Sequence, residues 1–476
     1  MQNMRTVKSI AIRVTIVFLL AGCARYEARP LSPERTAEQF EARTLDEPQL
    51  KEFLQAHLKR DLENRPVREW DFDTLTLVAL FYHPSLDVAR AQRAAAQAGV
   101  TTAGGRPNPV ADVAPQYTSN SESGVSPWVT ALTLDATIET AGKRGYRVER
   151  AKQQSESARF NLAEQAWQVR SRLRARLLDY AAANRRAALV QDVQGVQQQI
   201  LKLLEGRLAV GEIATTELTT ARVALIKTQA DLGEAQRQVV ESRSGVAEAL
   251  GVPRRAIEGR DLKFDLLPSV EAGRDLESAE IRRRALHGRA DILAALADYA
   301  ASQSALQLEI AKQYPDIHLG PGYEYDQGLH KWGLGVGAEL PVLNRNQGPI
   351  AEAQANRGEA AARFLALQAQ VIAEIDRSLA ARTVSQDQLR RIDSLLDTQR
   401  RHVQSVEAMV KAGAADQLDM SSAQLEVALT EVVRLDAMVK AQQALGQLED
   451  AVQFPFDALP SVEQDPRTQV GKEKKP

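Results

Sequence analysis

The six histidines are the side chains of this 476-residue sequence best suited to metal or proton chemistry. They stand at His57, His83, His287, His318, His330 and His402, with no i, i+4 pair among them and no cysteine beside any. A zinc site needs three or four converging ligands, usually delivered in such pairs, so the spacing points away from one. The five methionines form no cluster for a soft metal. No glycine loop of the phosphate-cradling pattern occurs either. The expectation is a protein that is not an enzyme, with no cofactor and no resident metal.

One residue does carry a chemical signal. Cys23 is the only cysteine, so no intrachain disulfide can form. It ends the stretch Leu20-Ala21-Gly22-Cys23, behind a leader in which Arg5, Lys8 and Arg13 precede the short apolar run Val14–Leu20. That arrangement resembles the bacterial lipoprotein signal, which is cut before the cysteine so that the thiol can be acylated. Residues 1–22 carry three basic and no acidic side chains, so their removal takes the formal charge from −2 to −5. Ala24 is not the aspartate that often retains such products at the inner membrane, which favours the outer one. With 44% hydrophobic and 26% charged residues and no basic block, nucleic acid is not an expected partner. Beyond residue 20 no apolar run is long enough for a membrane-spanning helix, so any further crossing must be made by strands.

The elements that follow are duplicated. His83–Gln97 and Arg289–Gln303 align at an offset of 206, which Pro109/Pro315, Pro115/Pro321 and Tyr117/Tyr323 keep. Further on, Gly211/Gly413, Glu217/Asp419 and Ala221/Ala423 match at 202, so the second copy has lost a few residues between strand and helix. Each copy has a moderate helix (about 74–105, then about 280–313), two strands, a very long helix (about 146–208, then about 350–411), a glycine turn and a returning helix (about 216–249, then about 416–449). No proline interrupts 128–252 or 350–454, as long helices require. At 1.5 Å per residue, a helix of some 63 residues reaches roughly 95 Å.

The strands, expected at about 109–120, 127–139, 315–326 and 331–341, alternate. In Lys331–Pro341, Trp332, Leu334, Val336, Ala338 and Leu340 share one face, and Gly333, Gly335, Gly337 and Glu339 the other. Trp128–Ile138 behaves alike, with Leu132, Leu134, Ala136 and Ile138 opposite Ala131, Thr133, Asp135 and Thr137. Strands of about ten residues, apolar on one side, suit an outer-membrane barrel, with Tyr117, Trp128, Tyr323, Tyr325 and Trp332 as an interfacial girdle. Four strands cannot close alone, and lipid tolerates no open edge, so other copies must complete them; three would give twelve strands. The rival arrangement is a four-stranded soluble sheet packed on helices.

With these parts placed, the chain resembles the TolC-like outer-membrane efflux family over about residues 70–455. The resemblance rests on the helix starts "HPSLDVA" and "RADILAA", the strand pairs, and "RLAVG" (Arg207–Gly211). The stretches "TIETAGKRGYR" (Thr137–Arg147) and "LPVLNRNQGPI" (Leu340–Ile350) look most like the cobalt–zinc–cadmium (Czc/Cus-like) metal-efflux branch. It implies a mainly α fold with a transmembrane β-barrel: a homotrimer with a 12-strand barrel in outer-membrane lipid, continued by a periplasmic α-helical tunnel. The expected organisation is a signal peptide (1–22), a lipid-anchored segment and collar (23–72), a first repeat (73–250), an equatorial linker (251–278), a second repeat (279–452) and a disordered tail (453–476).

The resemblance also implies partners and sites. A periplasmic adaptor protein would meet the helix tips (about 207–215 and 409–417), through Arg207, Leu208 and Gly211 of the family's RLxxG motif and through Gly413. The second tip lacks the motif's arginine and leucine. An inner-membrane pump of the resistance-nodulation-division type would supply energy. Asp419, just past the second tip, matches a pore constriction, with Glu217 as its counterpart in the first copy; a ring of acids there would attract cations. The implied function is the passive exit duct of a tripartite efflux system, with divalent metal as solute. Alternatives are organic toxicants or drugs, the duct of a type I protein-secretion system or, from another class, a periplasmic coiled-coil scaffold lipoprotein.

Overall fold

The computed structural model describes residues 26–58, 69–119, 124–266, 278–326 and 328–455. The described residues divide into two units, one up to Thr44 and one from Leu45 on. The first contributes helix α1 (Pro33–Glu41), whose N-cap Ser32 accepts the Arg35 N–H with its side chain.

In the second unit, α2 (Pro48–Leu58) and β1 (Glu69–Trp70) precede α3 (Phe72–Tyr82) and α4 (Pro84–Ala103). The single helix expected over about 74–105 is therefore two. His83 is extended at φ −69, ψ 122, because the residue before a proline is driven out of the helical region, and Pro84 then opens α4. Strands β2 (Val110–Tyr117) and β3 (Trp128–Ile138) lead to α5 (Lys143–Ala209) and α6 (Thr215–Leu250). A 3-10 turn (Arg254–Ile257) and β4 (Asp261–Leu262) come next, and β4 pairs in parallel with β1.

The second copy repeats the order as α7 (Ser278–Gly288), α8 (Ala290–Ala311), β5 (Ile317–Asp326), β6 (Leu329–Ala338), α9 (Gln347–Lys411) and α10 (Gln417–Val452). Its moderate helix is also split, at Arg289 in the extended conformation. β6 begins two residues before the expected 331, because Gly328 at φ +100 makes the hairpin turn tight. Helix α9 starts before Pro349, which sits in the first turn, where a backbone N–H has no helical partner anyway.

Each copy has its own core where short helices meet the long ones. In the first, Leu75, Val78 and Ala79 of α3 pack with Leu173 and Leu177 of α5 and Val246 and Leu250 of α6. In the second, Ile281 of α7 and Ile292 of α8 pack with Val371 and Ile375 of α9 and Leu445 and Leu448 of α10. The copies interlock through α5, which packs on α8 and α10 as well as on α4 and α6. Burial of such apolar side chains, each worth about 1.5–3 kcal/mol, holds these crossings together.

Candidate functional site

The four long strands form one antiparallel sheet in the order β2-β3-β5-β6, so β2 and β6 are open edges. The register sorts side chains onto two faces. Tyr117 lies opposite Trp128, Val113 opposite Leu132, Leu132 opposite Tyr323, Tyr323 opposite Trp332, and Leu319 opposite Val336. One face is thus apolar across all four strands. The other carries Asp112, Thr133, Asp135, His318, Gly320, Gly322, Glu324, Lys331, Gly333, Gly335 and Gly337.

The apolar face is open. Trp332 is 81% exposed, Leu334 68% and Val336 69%, values that a sheet packed on helices would not leave. The rival reading of a soluble sheet covered by helices therefore fails for this chain. The five aromatic residues singled out from the sequence all lie on this face, towards the hairpin turns. Tyr117 meets Trp128 edge-on at 5.1 Å between ring centroids, and Tyr323 meets Trp332 at 4.8 Å. His330 joins them opposite Tyr325, its Nδ1 2.6 Å from the Tyr323 hydroxyl. The pairing register puts His330 on the apolar face, not towards the lumen.

At the helix side of the sheet, the buried Lys143 ammonium donates to the Tyr314 carbonyl (2.6 Å) and pairs with Asp316 (2.7 Å). Arg147 forks onto Glu139 at 2.6 and 3.1 Å. These bonds fix the strand-to-helix joint of "TIETAGKRGYR", where Gly142 takes φ +73 and caps α5.

The tips lie at the other end of the long helices. Gly211 has φ +81 and Gly413 φ +73, the left-handed conformation that favours glycine. At the first tip Glu212 N donates to Arg207 O and Gly211 N to Leu208 O, both at 3.0 Å. At the second, Ala414 N reaches Met409 O (2.8 Å) and Gly413 N reaches Val410 O (3.0 Å). Both helices thus end in a Schellman motif, which satisfies carbonyls left over at a helix end. Arg207 and Leu208 are half-buried, and Gly211 and Gly413 are exposed.

Sequence reasoning missed Asp416. It is the N-cap of α10: its carboxylate accepts Leu418 N (2.7 Å) and Asp419 N (3.0 Å). Asp419 returns the favour by accepting Asp416 N at 3.0 Å, completing a capping box. The same Asp416 accepts from Arg207, which ties the two tips together. The backbone N–H of Asp419, then the Arg207 guanidinium, hold the Asp416 carboxyl below its usual value. The D-x-x-D pattern ahead of a helix was a legible signal for the box. Glu217 is exposed in the first turn of α6, where N-cap Ala214 offers no side-chain cap. Cys23 and the tail from residue 456 lie outside the described residues. Among the described residues, no group of three or more His, Cys, Asp or Glu could hold a metal ion, and no helix is long and apolar enough to cross a membrane.

Comparison with known proteins follows the duplication. The family model described as "Outer membrane efflux protein" matches residues 78–252 and 281–452. A curated relative, the cobalt-zinc-cadmium resistance protein CzcC of Cupriavidus metallidurans, is 24% identical over 235 residues, 49% of this chain. The match spans about half of that relative, 55% of its length. The solved outer membrane protein VceC of Vibrio cholerae superposes with a TM-score of 0.66 at 19% identity, covering 81% of this chain and 96% of its own. Solved CusC gives 0.65 at 18% identity, over 81% and 92%. At these identities the likeness shows a shared fold of long helices joined to a small sheet.

Proposed function

The chain belongs to the outer membrane efflux protein family, and from that premise we propose that it is the outer-membrane channel of a tripartite efflux system, a passive exit duct for divalent metal cations. The observation that carries this reading is the sheet, with one face apolar and exposed and both edges unpaired. Lipid satisfies the exposed face, and only pairing with further copies satisfies the edges. Three copies close a 12-strand barrel whose small, polar face lines the lumen, with the five aromatic residues as its girdle. The long helices continue the duct through the periplasm. A periplasmic adaptor docks at the tips through Arg207, Leu208, Gly211 and Gly413. An inner-membrane pump of the resistance-nodulation-division type drives export, and Asp419 with Glu217 lines the narrow end. Acylation of Cys23 anchors the mature N-terminus in outer-membrane lipid; radiolabelled palmitate should enter wild type and not Cys23→Ser. The metal solute is supported by the relative named for cobalt, zinc and cadmium resistance.

The test has two arms. The detergent-purified protein should be a trimer by light scattering, and a monomer with intact strands would refute the channel. Expressed with a metal-exporting pump and its adaptor in a host lacking a channel, it should restore growth on cobalt, zinc and cadmium. Abundant outer-membrane trimer without that growth would refute the metal assignment alone.

A further inference from the structure

Beyond the tips and the girdle, a histidine and a carboxylate on the sheet stand in the relation that metal sites use to orient a ligand. His318 is the second residue of β5, on the small, polar face and at the rim where strands give way to helices. Its Nδ1 lies 3.1 and 3.2 Å from the two carboxylate oxygens of Asp135 and 3.4 Å from the Thr137 hydroxyl. A carboxylate only accepts, so the proton of the neutral ring sits on Nδ1 and the lone pair on Nε2. That is the orientation in which a carboxylate presents histidine to a metal. On the β6 side the ring faces glycines. The residue opposite His318 on β6 is Gly337, where even a Cβ would lie 3.7 Å from the His318 Cβ, and Gly335 and Gly320 follow on the same face. Both side chains are about half exposed, at 45% and 48%.

We propose that His318, oriented by Asp135, is a low-affinity binding site for borderline divalent cations such as zinc, cobalt or cadmium on the wall of the duct. The proposal rests on the reading of the small face as the lumen. The imidazole nitrogen selects these ions over hard magnesium or calcium, which prefer all-oxygen shells. One ring per protomer holds an ion weakly, and a conduit needs sites that release what they bind. Asp112, opposite Thr133 on the same face, adds a second carboxylate near Asp135 and favours cations over anions there.

The experiment is single-channel recording of the reconstituted full-length protein in potassium chloride, with zinc chloride or magnesium chloride added. Wild type should show brief zinc blockades that magnesium does not produce. His318→Gln channels that still conduct potassium, and so have assembled, should lose them. Asp135→Asn should shorten the blockades about tenfold, the cost typical of losing a partner that orients a ligand. A conducting wild type indifferent to zinc, or blockades unchanged in His318→Gln, would overturn this inference and leave the channel standing. A protein that inserts as a trimer yet never conducts would overturn the conduit reading, and the zinc site with it.

Discussion

The Arg207 guanidinium donates to the Asp416 carboxylate, so the last turn of α5 is tied to the first turn of α10. The two residues lie in different copies of the duplicated unit, and neither has an equivalent partnership in the other copy. A single carboxylate thereby does two things, capping a helix and holding the neighbouring tip. An adaptor that recruits Arg207 must compete with that bond.

The cap and the tie can be separated by substitution. Asp416→Ala removes both, and loss of an N-cap costs about 1 kcal/mol of local stability. Asp416→Asn keeps a capping oxygen and loses the charge. Hydrogen exchange at the amides of Leu418 and Asp419 should quicken in the alanine variant and stay near wild type in the asparagine one. Because the folded carboxyl titrates below its ordinary 3.8, its contribution is present above that value and disappears as pH falls through the depressed one. Loss of protection already at about pH 5 would contradict the assignment.

Gly211→Val tests the first tip. The space around a Cβ there is open, so the damage comes from the backbone: φ +81 strains a β-branched residue by about 1 kcal/mol or more. Trimer and outer-membrane level should be normal, because the barrel lies at the far end of α5, while metal resistance should vanish. Full resistance at normal abundance would mean the tip is only a helix end.

Leu132 and Thr133 are adjacent in β3 and point to opposite faces. Leu132→Arg puts a charge towards lipid and should cost about 2–4 kcal/mol if near mid-bilayer. Thr133→Arg points into the lumen and should leave barrel stability little changed. Folding titrations in lipid vesicles would measure both; equal costs would refute the facing of the sheet.

Gly446→Ala should destabilise although alanine favours helix by about 1 kcal/mol. A Cβ there would overlap the Arg174 guanidinium, which donates to Gln442 O (3.0 Å) and Gln442 Oε1 (2.9 Å) and pairs with buried Glu449 (3.4 Å). Displacing these buried charged bonds costs about 1.5–3 kcal/mol, which outweighs the helix gain. Gly233→Ala, with open space at its Cβ, is the control and should raise the melting temperature slightly. Opposite shifts in thermal unfolding check the pair.

Much of the fold was legible because its causes are local. Alternation with period two exposes strands, and proline-free runs announce long helices. Gly211 and Gly413 mark turns because few other residues accept a positive φ. Even the break at His83-Pro84 had a local cause, although one helix was expected across it.

The sequence by itself determined the elements, their duplication and which strand residues share a face, since each follows from neighbours a few positions away. Only the tertiary structure decided what meets across long separations. Arg207 and Asp416 are 209 residues apart, and His318 and Asp135 are 183 apart. No periodicity encodes such pairs, because they depend on how α5 crosses α10 and on the register in which β5 joins β3. That register is set by packing and ladder hydrogen bonds across the whole sheet, and shifting it by one residue would turn His318 to the other face.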